Sequence, residues 1–421
     1  MHSVNDTLAR RNMRFAITSA CWGQILIVIA KDSSIIIILA SMIGAGDSVA
    51  VFTTAITDAA TCLLLLLFAA LSNRVGLKQQ TMGAHVIMAL SFVFVALAPW
   101  LGPAAAPTLL LALLVFAIAQ SGYMAAWFPM LDEIVPAGER ALFFGRLRVA
   151  WQLIAAGFVL LSGWFLGRHA TVGRLQLIIA AAAVVSLGRL VYIARIQLPD
   201  RPPQTGRIVP AVLESLRNRT LTGFSIYLFF LYLAANGTIP VVFVFGRNYL
   251  HLPDNIIVIL SAVVMVGLLL GFLAGGRVVH HLGAKRVLVS VHIGFALLNL
   301  ALLALHAGNP QAALVLGLIL GLYGALFACA SIAVTSELMA LALPQHKAVS
   351  LAFGLSLYTA GMAGSRLLAS FLLGTGLLAE QWTWGTRILS RYHSLFLLAA
   401  AGVVGCMMLL IMVPGMVRYK E

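Results

Sequence analysis

The sequence predicts an all-α membrane protein with twelve transmembrane helices in two six-helix bundles. Three observations predict this: an apolar composition, a regular series of helix-length apolar runs, and an echo between the two halves of the chain. Of 421 residues, 62% are hydrophobic and 10% charged, and mean hydropathy is +1.02. Soluble domains carry about 25% charged residues, so this chain cannot cover itself with a polar surface and its solvent is the lipid bilayer. The net charge of +14 would suit nucleic acid if it formed one basic face. Here the basic residues fall in short segments between apolar runs, and no nucleic-acid partner is expected.

The runs lie near 15–43, 48–71, 81–101, 107–131, 149–167, 174–195, 221–246, 254–276, 286–306, 311–338, 348–378 and 394–416. Each is long enough for the ~20 residues that a spanning helix needs. The first contains "LIVIAKDSSIIIIL" (26–39), with Lys31 and Asp32 among aliphatic residues. A loop at "KDSS" would leave a second piece too short to span and would invert every later connection. One long first helix is therefore expected. The basic N-terminus resembles a secretory signal, but no convincing cleavage site follows, so it is read as the start of that helix. Cys21, Cys62, Cys329 and Cys406 lie inside apolar runs without metal-ligand spacing, and no metal or cofactor is expected.

Basic residues orient the helices. Arg10, Arg11, Arg14, Arg74, Lys78, Arg140, Arg146, Arg148, Arg195, Arg201, Arg207, Arg217, Arg219, Arg277, Lys285, Arg286, Lys347, Arg418 and Lys420 fall on one side, against Arg168, Arg174, Arg247, Arg387 and Arg391 on the other. The positive-inside rule then places both termini in the cytoplasm and the protein in the inner (cytoplasmic) membrane. The long polar segment "QLPDRPPQTGRIVPAVLESLRNR" divides the chain into 1–195, a linker at 196–220, and 221–421. Val209, Val212, Leu213 and Leu216 recur at helical spacing, which predicts a short interfacial helix in the linker.

The halves echo each other. "SNRVGLK" (72–78) follows the second helix and "VHHLGAK" (279–285) the eighth, with Gly76 and Gly283 separated by the same interval as Lys78 and Lys285. Glu133 and Pro136 after the fourth helix are echoed by Glu337 and Pro344 after the tenth. Repeated halves place a substrate site between them and predict alternating access by rocking. These loops resemble those of the major facilitator superfamily, whose motif between helices two and three reads G-x-x-x-D-R-x-G-R-R. Arg74, Gly76 and Lys78 match one copy, and Gly276, Gly283, Lys285 and Arg286 the other. Asn73 and His280 stand where the family has an aspartate, and Ala69 replaces its first glycine, which implies a weaker or rebuilt inner gate. Glu133, Pro136, Arg140 and Gly145 resemble the family loop after helix four. The helix-five motif of the family's drug antiporters is missing, which leans away from drug export.

Charges buried in hydrocarbon usually face a water-filled interior. Asp58 is the eleventh residue of the second helix, about 15 Å deep and near the midplane. A lone carboxyl there suits proton binding, unless it is a structural group paired with Lys31 or another cation. Lys31 and Asp32, about 24 Å up the first helix, either snorkel outward or line the outer substrate path. Being adjacent on a helix, they point in different directions. Arg366 in the eleventh helix is a fixed cation shaped for an oxyanion or for Asp58, with snorkelling as the alternative. Arg189 lies near an inner helix end and is read as snorkelling, and His292 and His306 as ordinary polar residues. The resemblance implies a cavity lined by helices one, four, seven and ten. There Trp22, Gln24, Gln120, Tyr123, Trp127, Tyr227, Tyr232, Asn236 and Tyr323 would meet a polar organic solute, or else pack between helices. "NGTIP" (236–240) is expected to break helix seven.

Walker, HExxH and GxSxG motifs do not occur, so an enzyme is not expected. The expected function is secondary transport of a small polar organic solute, coupled to protons as a symport, by a monomer. An exporter of amphipathic compounds is the alternative, and a non-transporting receptor a more distant one.

Overall fold

The computed structural model describes residues 2–136, 139–198, 208–343, 347–385 and 387–412. Helix dominates because a chain in lipid must satisfy its backbone polar groups within each segment. The first crossing is α1 (His2–Ile27), a π-helical turn (Val28–Asp32) and α2 (Ile35–Met42). Then follow α3 (Asp47–Val75), α4 (Leu77–Leu97), α5 (Ala105–Ile134) and α6 (Arg140–Leu166). The sixth crossing is split into α7 (Val172–Ser186) and α8 (Gly188–Arg195). A short helix α9 (Ile208–Arg217) precedes the second half. That half comprises α10 (Arg219–Ala235), α11 (Thr238–Asn248), α12 (Asp254–Leu282), α13 (Ala284–Leu302), α14 (Ala312–Leu341), α15 (Lys347–Gly374) and α16 (Arg391–Met412).

Among the described residues, ten segments are long and apolar enough to cross a membrane. One of them, Leu77–Ile134, is two helices, α4 and α5, joined by a 3-10 turn. Helix α15, 28 residues long, is a further helix of spanning length. The architecture is thus the expected all-α membrane fold of two helical bundles, and the twelve-helix reading is consistent with it.

The first half packs α4 and α3 on α5, and the second packs α12 and α13 on α14. The halves meet along two helix pairs, α3 with α15 and α6 with α12. Within the second half, glycines let backbones touch: a Cβ at Gly267 would stand 2.0 Å from the Gly321 carbonyl oxygen, and one at Gly324 2.3 Å from that of Val264. Small residues of this kind let membrane helices approach closely.

Several boundaries differ from expectation. The first helix is not continuous, since Ser33 is extended and the chain restarts as α2 at Ile35. The segments around Asn73, Arg74, Gly276 and His280, read as loops, are the last turns of α3 and α12, which run on to Val75 and Leu282. Each connection shrinks to one glycine, Gly76 (φ 89°) and Gly283 (φ 81°). That is the left-handed region where a Cβ is strained. The connection after α15 carries an unexpected hairpin, β1 (Gln381–Trp384) with β2 (Arg387–Ser390), pairing Gln381 with Ser390 and Trp384 with Arg387. Its end of the molecule is called the hairpin face below, and the opposite end, which carries α9, the linker face. The side chains of Asn73 and Val209, and Pro202, Pro203 and Pro344 altogether, lie outside the described residues.

Candidate substrate and coupling site

The break in the first crossing builds the site. A π-helical turn adds a residue to the helical repeat, and such turns concentrate at functional sites. This one ends on Lys31 and Asp32. The backbone groups it frees are taken up by the other half of the molecule. Ser34 N–H donates to Ser261 Oγ on α12 (3.0 Å), and Arg366 Nη1 on α15 reaches the Lys31 carbonyl (3.5 Å).

Four charges converge here. Lys31 Nζ lies 2.8 Å from Asp58 Oδ1. Arg366 Nη1 lies 3.3 Å from Asp58 Oδ2, and Nη2 lies 3.9 Å from Asp32 Oδ1. Arg366 Nη1 also donates to the Thr54 carbonyl at 2.7 Å. The two adjacent residues Lys31 and Asp32 thus serve different partners, while Asp58 holds one cation from its own half and one from the other. The cluster is neutral by formal charge, as a low-dielectric site requires. Asp58 and Arg366 side chains are 3% and 5% exposed, but Asp32 is 36% exposed. Asp32 thus remains reachable at the seam where the first crossing meets α15, and charges in spanning segments usually border a polar interior. Tyr358 on α15 stands beside the cluster, edge-on to Tyr232 of α10 with centroids 4.3 Å apart.

The predicted aromatic and amide residues separate from this cluster. Gln120, Tyr123, Trp127, Tyr227, Tyr232, Asn236 and Tyr323 are all buried. Tyr323 Oη donates to the Ala235 carbonyl at 2.6 Å, and Tyr227 Oη is 3.4 Å from His292 Nε2. Of the predicted set only Trp22 and Gln24 remain partly accessible, and Trp22 leans on Gly188. The expected break in the seventh crossing is present, with Gly237 N–H donating to Ser365 Oγ at 2.7 Å.

Arg189 corrects the sequence reading. It does not snorkel but is fully buried. It donates to the carbonyls of Ser19 (3.2 Å) and Ala20 (3.4 Å) and lies over the rings of Tyr123 (4.5 Å) and Trp127 (5.8 Å). Gly23 makes the room: a Cβ there would sit 1.8 Å from Arg189 Nε. Cation–π contact and two carbonyls replace a counter-ion.

The predicted gating residues lie at the linker face. Lys78 Nζ donates to the carbonyls of Ala194 (2.7 Å) and Ile196 (2.8 Å), tying α4 to the end of α8 within one half. Arg140 pairs with Asp132 at 2.6 Å. Glu133, His280, Lys285 and Glu337 are also engaged in contacts.

Sequence reasoning did not find the seal at the hairpin face. Asp47, at the start of α3, receives Arg391 Nη2 at 2.6 Å, Asn248 Nδ2 at 2.6 Å and the Tyr392 hydroxyl. Ser48 Oγ donates to the Ser370 carbonyl and Ser370 Oγ to that of Ser48, both at 2.8 Å. These bonds join the two halves at the hairpin face. At the linker end, by contrast, α3 and α15 carry many partly or fully exposed residues.

Two helical bundles that meet along two helix pairs, sealed at one face with an ion cluster bridging them at depth, are the architecture of a membrane transporter. The chain belongs to the Major Facilitator Superfamily, whose sequence model matches residues 14–365. No curated protein matches it in sequence. Among solved structures it is similar to the nucleoside transporter NupG (14% identity, TM-score 0.68, 98% of this chain and 100% of that one). It is also similar to a POT family transporter in complex with 5-aminolevulinic acid (13%, 0.74, 97% of each chain). A third is the inward-open xylose transporter XylE from E. coli (12%, 0.64, 97% of this chain and 95% of that one). At these identities the likeness concerns the fold. The protein is a non-enzymatic, multi-pass membrane transporter.

Proposed function

We propose that this transporter carries a small polar organic solute across the cytoplasmic membrane as a monomer, coupled to protons by symport, with the linker face cytoplasmic. The observation that carries the reading is the position of Asp58. Among the ion pairs of the described residues it is the group that meets a cation from each half, Lys31 at 2.8 Å and Arg366 at 3.3 Å. Ionised, Asp58 latches α3 to α15 at depth, on the hairpin side of their contact. A proton on Asp58 removes the charge that holds both cations and loosens that latch, so proton occupancy and the opening of the hairpin face become linked. The orientation rests on the positive-inside distribution of basic residues.

The solute class rests on the charged crevice. Apart from Trp22, the predicted aromatic residues that would suit an amphipathic cargo are buried within the bundles, so polar solutes fit the charged wall better. Solute uptake into proteoliposomes under an imposed pH gradient tests the proposal. Accumulation that follows the gradient in the wild type, and disappears in Asp58→Asn while solute exchange survives, is expected. Accumulation that ignores the pH gradient would overturn it.

A further inference from the structure

Arg148 lies on α6, eight residues and so about 12 Å along the helix from its linker-face end. It is half-buried. Its guanidinium does not turn back to that end but crosses to the other half, 5.2 Å above the Phe272 ring of α12. It is also within electrostatic reach of Tyr358 on α15, which is in turn within reach of Asp32, Asp58 and Arg366. Tyr358 is thus the group that Arg148 and the ion cluster both have within electrostatic reach.

The charge balance then fails by one. Lys31 and Arg366 are matched by Asp58 and Asp32. Among the described residues no carboxylate lies within ion-pair distance of Arg148. Desolvating a lone guanidinium is costly, and one ring face returns only about 1–2 kcal/mol. A planar, permanently charged fork that stays partly accessible is suited to an oxyanion held by two parallel hydrogen bonds.

Resting on the transport reading above, we infer that the solute carries a carboxylate or phosphate group, that Arg148 receives it, and that the uncharged remainder of the solute reaches past Tyr358 toward the Lys31–Asp58–Arg366 cluster. Binding of the solute completes the charge balance of the crevice.

The test is binding to purified protein in nanodiscs, by thermal shift and calorimetry, of matched solutes: glucose, gluconate and glucose 6-phosphate, then ribose and ribose 5-phosphate. The inference expects at least one anionic member to bind tenfold or more tightly than its neutral partner. Arg148→Gln abolishes that preference, and Arg148→Lys retains part of it. Preference for gluconate alone assigns a carboxylate, and preference for the phosphates a phosphate. If no anionic member binds better than its neutral partner, or if Arg148→Gln keeps the preference with an unchanged melting temperature, the inference is overturned. Asp58→Asn separates the two readings, since its loss of pH-driven uptake bears on coupling and leaves anion preference in place.

Discussion

Replacing Asp58 by asparagine keeps the size of the side chain and removes its charge. At an effective dielectric of about 20, contacts of the observed lengths, 2.8 and 3.3 Å, are worth roughly 6 and 5 kcal/mol before desolvation and the Lys31–Arg366 repulsion are subtracted. The net loss expected when one partner of a buried pair is removed is about 3–5 kcal/mol. Only the Arg366 contact crosses between the halves, and Arg366 keeps its 2.7 Å bond to the Thr54 carbonyl. The share that falls on the equilibrium between states is then about 1.5–3 kcal/mol, or roughly 10- to 150-fold, in favour of opening the hairpin face. Two measurements read this. In proteoliposomes, solute counterflow, which needs no proton, should persist while accumulation under an imposed pH gradient is lost. In detergent, the melting temperature should fall. Gradient-driven accumulation at the wild-type level would refute the assignment of coupling to Asp58, and an unchanged melting temperature would refute the ledger of ion pairs.

Other expectations follow from close contacts. Gly23→Ala drives a methyl group into Arg189 at 1.8 Å and should lower stability by about 1–3 kcal/mol, the usual cost of overpacking, seen as a fall in melting temperature and in yield of folded protein. Gly324→Ala, whose Cβ would stand 2.3 Å from the Val264 carbonyl oxygen, should separate α12 from α14 at a similar cost, whereas Gly405→Ala, where nothing lies within 4 Å, should leave the melting temperature unchanged. Asp47→Asn weakens the partly buried pair with Arg391 and should shift the equilibrium toward a hairpin-open state by about 1 kcal/mol, roughly fivefold, read as faster thiol labelling of a cysteine introduced at Ser370.

Charges in hydrocarbon are rare enough to stand out, which is why Lys31, Asp32, Asp58 and Arg366 were legible in the sequence although they come from three separate crossings. Their mutual distances were not legible, because nothing in a linear pattern says which helix faces which. Arg189 shows the limit more sharply. An arginine near a helix end reads the same whether it reaches for the headgroups or turns inward. The signal that decides is spread over Gly23, Tyr123 and Trp127, a missing side chain on one helix and two rings on another. The hairpin was hidden differently: "QWTWGTRILS" alternates large apolar and polar residues around Gly385, a strand signal, but it sits between two apolar runs whose helical reading dominates. The π-helical turn had no such signal, since Val28–Asp32 has an ordinary helical composition.

That turn explains why the charges sit where they do. In an uninterrupted helix the Lys31 carbonyl and the Ser34 N–H would be bound within the first crossing. Released by the break, they are met by Arg366 and Ser261 from the other half. The same short stretch therefore presents two charged side chains to the crevice and two backbone groups to the opposing helices. If the halves rock apart at the hairpin face, the contacts of Arg366 and Ser261 with the first half must break together, and the coupling proposed above assigns to Asp58 the charge whose removal weakens them. A conformational change confined to one crossing would leave solute and proton free to move independently. Joining the halves through a broken helix makes the charge state of one side chain, Asp58, bear on a contact between them, which is what the proposed coupling requires.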